Sequence, residues 1–330
     1  MILPSLADIA RRAATDGLDL VPFAVPLFVA TIMIEMVWAA RKAPTAYEPG
    51  DTLTSLLMGL GSTVAGALVA GLIALGAGWL YAHRVATIPV LWWTWIGVFV
   101  LDDFNYYLFH RTAHRVRWFW ASHINHHSSQ HYNLSTALRQ SWTGFPALSF
   151  AFRIWPAFIG VAPGMLLTVG GINLVYQFWV HTEAVGRMPR WFEAVMNTPS
   201  HHRVHHATNP RYLDRNYAGV FIVWDRLLGT FTPERDDDPV RYGIVHQLGT
   251  FSVLTVAFHE WASIARDLWH APWRAKAGYL LRAPGWSHDG SRDTSDMIRA
   301  RWQAGHAEDQ GDPGADQLAS RNPAATPSAG

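Results

Sequence analysis

Tyr106-Tyr-Leu-Phe-His110-Arg-Thr-Ala-His114, followed by His123-Ile-Asn-His126-His127, is the stretch that decides how this chain is read. Residues four apart on a helix share a face, so His110 and His114 can bind one ion or reach toward two, and His123, His126 and His127 repeat that spacing as i, i+3 and i+4. Downstream lie a single His181 and a second HxxHH, His202, His205 and His206. A lone HxxxH is usually chance or surface polarity. Two HxxHH clusters beside it within about a hundred residues are not. One ion takes only about four to six protein ligands, fewer than nine, so three such faces around one cavity favour two adjacent metal ions.

Each cluster sits just past a long apolar segment, which places the candidate centre at a membrane surface. Of 330 residues, 50% are hydrophobic, 15% are charged and 17 are tryptophan, a composition that suits a bilayer protein. The formal charge of +1 offers no basic surface for nucleic acid, so no nucleic-acid partner is expected. With no cysteine, disulfides, thiolate-ligated haem, Cys-ligated iron–sulfur clusters and a Cys nucleophile are excluded. Any metal must be held by His, Asp or Glu.

The expected fold is all-α: polytopic membrane helices with a cytoplasmic, histidine-rich helical cap holding a di-metal site. Residues 20–40, interrupted by Glu35, read as a first span, 53–81 as a Gly/Ala-rich second, and 88–109 as a third that delivers His110 to the surface. The apolar stretch 145–180, broken by Pro156, Pro163 and Gly170-Gly171, reads as a hairpin returning His181 to the face of His110; a single kinked span would strand it opposite. Arg41, Lys42, Arg111, Arg115, Arg117, Arg139, Arg187, Arg190 and Arg203 mark that face as cytoplasmic, with Arg11 and Arg12 arguing weakly the other way. Residues 250–281 read as an amphipathic surface helix pair, and the polar tail from Gln303 as disordered. The first apolar run is too long, and lacks the cleavage site, for a signal peptide. This divides the chain into N-terminal spans (1–100), a catalytic domain (101–250), C-terminal amphipathic helices (251–302) and a tail (303–330).

Asp103, one helical face below His110, together with Glu183, His201, Asp214 and Asp225, are candidates to support ligating imidazoles, whose outer nitrogen ordinarily needs a partner. Helix-end or loop solvation competes for Asp103 and Asp214. His131, His246 and His259 read as surface or supporting residues. Imidazole suits Fe, Zn, Cu and Ni alike. A neutral all-imidazole shell facing lipid is better suited to activating dioxygen against a C–H bond than to making hydroxide, which favours iron and leaves zinc open.

The order HxxxH, HxxHH, His, HxxHH resembles the fatty acid hydroxylase and sterol desaturase superfamily. Tyr106–His114, His126–Ser141, Gln177–Glu183, Asn197–His206, Asn216–Gly219, Trp224-Asp225 and Gly229–Phe231 resemble its alkylglycerol monooxygenase branch, over roughly 102–250. The resemblance implies a di-iron centre on His110, His114, His123, His126, His127, His181, His202, His205 and His206. It also implies a lipid substrate hydroxylated with O2, membrane lipids as surroundings, and an electron donor, tetrahydrobiopterin in that branch. Arg115 departs from the Glu often found there. Alternatives are a sterol or fatty acid desaturase or hydroxylase and, outside enzymes, a metal transporter or b-haem protein. The last two are disfavoured because the clusters sit at span ends.

Overall fold

The computed structural model describes Thr15 and residues 17–309; Arg11, Arg12 and the tail beyond Asp309 lie outside the described residues. Among the described residues the secondary structure is helical, with two isolated β-bridges, Met196–Phe221 and Ala207–Tyr242. Helices α1 (Val21–Lys42) and α2 (Pro49–Ala82) are long and apolar enough to cross a membrane, and they expose most of their large side chains. Such outward apolar faces suit lipid, not water, and mark the chain as a membrane protein. Pro22 sits in the first turn of α1, where a missing N–H costs no hydrogen bond, and Glu48 caps α2 by accepting from the Asp51 N–H.

Helix α3 (Trp92–Arg115) covers most of the stretch 88–109 expected as a third span, is not among the helices long and apolar enough to cross a membrane, and runs on through His110 and His114. It pairs with α4 (Pro163–Trp179) in parallel. Ile88 N–H donates to the Gly160 carbonyl at one end, Asn173 donates to Asp102 and Asp103 midway, and His181 reaches the histidine layer at the other. Val98, Val161, Met165 and Val169 form the dry core at the far end of this pair.

The hairpin is asymmetric. Its return limb is α4, whereas its outward limb runs beside α2 as turns, a single helical turn (Ala151–Ile154) and a 3-10 turn (Trp155–Ala157). Arg139 meets Asp51 near the start of α2, Trp142 donates to the Met58 carbonyl, and Val85 N–H donates to the Phe158 carbonyl past its end. The path therefore returns His181 to the level of His110, as the sequence predicts. Irregular backbone survives here because α2 and α3 cover it.

Two expectations are corrected. The cap is less helical than its histidine spacing predicts: the first HxxHH lies on one turn (Ile124–His127) with His123 at its N-cap, and the second on α5 (Pro199–His205) with His206 at its C-cap. From 206 to 250 the chain is mostly loop, held by buried side chains instead of a helical ladder; Asn216 donates to the His201 and Thr232 carbonyls and accepts from Thr232 N–H. Residues 250–281, read as a helix pair, hold an amphipathic helix, α6 (Val253–His270), and a short second one, Lys276–Leu281. The second correction is the last helix, α7 (Ser295–Asp309), which extends past Gln303, where composition alone predicts disorder.

Candidate metal centre

All nine histidines converge on one buried layer, where their ring nitrogens form two groups. His110, His114, His123, His127 and His205 make the first; His126, His181, His202 and His206 make the second; within each, the nearest ring nitrogens lie within 4.8 Å of one another. Each HxxHH is split. Its i and i+4 members enter the same group, while the i+3 member turns to the other, so one helical turn carrying His123 to His127 feeds both. The i and i+4 pair of α3 stays together in the first group.

The outer ring nitrogens show why the inner ones could hold cations. His110 Nδ1 lies 2.8 Å from the Tyr217 carbonyl, His205 Nδ1 2.9 Å from Arg215 O and His181 Nδ1 2.9 Å from Gln177 O. A carbonyl only accepts, so each Nδ1 carries the proton and a neutral ring leaves Nε2 as a bare lone pair. These lone pairs meet other imidazoles closely: His110 to His123 at 2.9 Å, His205 to His127 at 3.2 Å, His181 to His202 at 3.0 Å and to His126 at 3.2 Å. Ligands about 2.1 Å from one ion, at right angles, stand about 3 Å apart. The spacing fits a cation in each group. His114 Nε2, buried with no hydrogen-bond partner, adds an inward-facing donor of the same kind.

Burial, and after it the neighbouring imidazoles, hold His123, His127, His202, His205 and His206 well below the usual histidine range; burial alone brings His181 down to about 4. Neutral imidazole is the ligating form. Aromatic rings pack against the layer: Tyr217 faces His110, His114 and His205, Trp120 faces His114 and His127, and Tyr132, stacked on Tyr242, faces His206.

Of the residues expected to support imidazoles, Asp214 makes the contact directly, with Oδ1 3.2 Å from His114 Nδ1. It adopts φ +54, a region that Asp tolerates better than most residues. Asp103 does not touch an imidazole. It accepts from Val220 N–H, Phe221 N–H and Trp224 Nε1, and so holds the loop whose Tyr217 carbonyl orients His110. Asp225 acts on the same loop by accepting from Tyr217 N–H, Ala218 N–H and the Thr230 hydroxyl. Glu183 accepts from the Tyr242 hydroxyl and orients no ring; His201 lies in neither group, its Nε2 3.8 Å from Glu193. Arg115 is bound in a two-pronged pair to Asp296 of α7 and lies 3.8 Å from Asp214. His131 and His259 bond only to backbone carbonyls.

Sequence reading missed Glu35 as a structural group. This buried carboxylate of α1 accepts from the Tyr47 and Thr182 hydroxyls and from Leu134 N–H, which ties the first span to the residue after His181. Its signal was present as the one acid interrupting an apolar run.

Residues 95–230 match the fatty acid hydroxylase family model. This stretch is a fatty acid hydroxylase domain. Outside the hydroxylase domain too, the chain is 38% identical over 282 residues to the human alkylglycerol monooxygenase, covering 81% of this chain and 60% of that protein. It is 45% identical over 167 residues to the alkylglycerol monooxygenase of Caenorhabditis elegans (51% of this chain, 32% of that one), and 28% over 141 residues to an ornithine lipid hydroxylase of Rhizobium tropici (40% of each). The chain thus spans about 60% of the length of the human protein. No solved structure matches it.

Proposed function

We propose that this chain is a multi-pass membrane oxygenase that holds two irons in its two imidazole groups and hydroxylates an alkyl chain of a lipid, with alkylglycerols as the substrate class. The observation that carries the reading is the division of nine imidazoles, eight of them buried, into sets of five and four whose nitrogens stand at ligand-to-ligand spacing. The hydroxylase domain and the relatives named alkylglycerol monooxygenase support the lipid substrate.

Iron, when bound, would supply the activation of dioxygen. The chain supplies placement and dryness. The carbonyls of Tyr217, Arg215 and Gln177 keep a proton on Nδ1 of His110, His205 and His181, and Asp214 does the same for His114. Tyr217, Trp120 and Tyr132 wall the layer against water, which protects an oxidising reaction from waste. Insertion of one oxygen atom into a C–H bond, with the other released as water, consumes two electrons and two protons from a reduced donor; a tetrahydropterin is the class to test first. Hydroxylation beside an ether oxygen yields a hemiacetal that collapses to an aldehyde and glycerol. In this reading α1, α2 and the α3–α4 hairpin hold the chain in the bilayer with the histidine layer on the cytoplasmic face. Residues 101–250 then form the catalytic domain and 251–302 a surface layer.

The test is metal analysis of the purified chain, followed by aerobic incubation with alkylglycerols, fatty acids and sterols, each with and without a reduced pterin. About two irons per chain and pterin-dependent release of aldehyde from an alkylglycerol are expected. Stoichiometric zinc with no lipid oxidised would overturn the proposal, and oxidation of sterols or fatty acids alone would move it to the neighbouring enzyme class.

A further inference from the structure

A second cavity, of about 420 Å³, opens beside the histidine layer, lined by Arg187, Arg190, Arg226, His201 and Phe231 among others. Its two carboxylates are already engaged. Glu193 accepts from Met188 N–H and from the Thr198 and Ser200 hydroxyls, and Glu234 is paired with Arg203. Its cations are less engaged. Arg187 holds only the exposed Asp236 and a carbonyl, and Arg226 donates to the Glu193 carbonyl while its guanidinium lies 3.8 Å over the Phe231 ring. The Arg190 guanidinium has no partner among the described residues. His201, 2% exposed, also lines the cavity, its Nε2 3.8 Å from Glu193.

The depth of this cavity follows from its neighbours. Phe221 meets Phe99 edge-on at 5.8 Å, Trp224 lies 5.0 Å from Phe104, and Trp224 Nε1 donates to Asp103. The helical turn Val223–Leu227 therefore lies beside the Phe99–Phe104 part of α3, which at 1.5 Å per residue is roughly 9 Å or more to the membrane side of His110. On its outer surface, and on that of the adjoining Arg190–Glu193 turn, Trp191, Val195, Leu227 and Leu228 are exposed. Exposed tryptophan and leucine beside unpaired arginine, on the membrane side of the histidine layer, is the pattern of a contact with lipid.

We infer that this cavity binds the phosphate of an anionic membrane phospholipid, with Arg190 and Arg226 on the phosphate and Trp191, Leu227 and Leu228 inserted beside its acyl chains. The site is separate from the imidazole groups and does not depend on what they catalyse.

The full chain is purified in detergent, supplied with phosphatidylglycerol, phosphatidylcholine or inorganic phosphate, and scored by native mass spectrometry for retained lipid and by its thermal midpoint. Phosphatidylglycerol should be retained in preference to phosphatidylcholine, millimolar inorganic phosphate should not displace it, and Arg190→Gln should weaken retention about five-fold. Arg190→Lys should recover most of it. Arg190 has no partner to lose, so its variants test the site even where Arg226→Gln impairs folding. Equal retention of the two lipids, or wild-type retention by Arg190→Gln, overturns the inference; displacement by phosphate assigns the cavity to free phosphate and overturns the lipid reading.

Discussion

Helix α2 and the loop from Ala207 to Asp225 obey opposite rules. Along α2 large side chains such as Leu68 (79% exposed) and Leu75 point outward with little protein against them, and Gly and Ala keep the inward face low enough for the 138–142 segment to approach. In the loop no residue is exposed, and the polar groups of Asn209, Asn216 and Asp225 are answered by named backbone atoms. A span in lipid needs only to be apolar and long, whereas a buried loop without a helical ladder needs every donor and acceptor satisfied one by one. Tolerance to substitution should differ accordingly.

The largest effect is expected from His205→Ala. Removing one of five imidazoles from the first group should abolish lipid oxidation and lower bound iron, measured by elemental analysis; full turnover would break the contrast. Asp225→Ala comes next, because it strands Tyr217 N–H, Ala218 N–H and the Thr230 hydroxyl in a buried place. A loss of about 3 kcal/mol in denaturant unfolding is expected, together with weaker metal retention, since the same loop carries the carbonyl that orients His110.

Asp214→Ala should cost about 1 kcal/mol of stability, because Ala tolerates φ +54 less well than Asp, and lower metal affinity about 10- to 100-fold, the usual consequence of losing a ligand's outer hydrogen bond. Acidification should act on the loop and the layer and spare the spans. Burial holds His205 below the unfolded value of about 6.5 and brings His181 down to about 4, so as pH falls below about 6.5 the unfolded chain takes up protons that the folded one refuses. Their stabilising contribution is complete above about pH 6.5 and is lost as pH falls through about 4; it can be followed by thermal unfolding of the metal-free chain between pH 7.5 and 4.5, where a flat midpoint would contradict it. The smallest effects belong to the exposed surfaces. Leu68→Val and His259→Ala should each change stability by less than about 0.5 kcal/mol and leave iron content unchanged.

How far the sequence could be read follows from these same places. The apolar runs of α1 and α2 are local properties, visible as composition, and the histidine spacing names eight of the nine imidazoles because ligands on one turn recur at i, i+3 and i+4, with the lone His181 marked only by its place between the clusters. Asp103 shows the limit. Its position one face below His110 suggests an imidazole partner, yet its acceptors' donors lie more than a hundred residues away, at Val220, Phe221 and Trp224. Glu35 and the Asp51–Arg139 pair were hidden for the same reason, being satisfied only across the fold.

The amino-acid order alone determined which segments are lipid-compatible and which side chains are nitrogen donors, because hydropathy and helical period are set by neighbours in the chain. The tertiary structure alone decided that the donors part into five and four, and that carbonyls of Gln177, Arg215 and Tyr217 set their protons. A single helical turn points its i+3 residue about 60° away from its i residue, and only the packing of α3, α4 and α5 around one layer decides which group that residue faces.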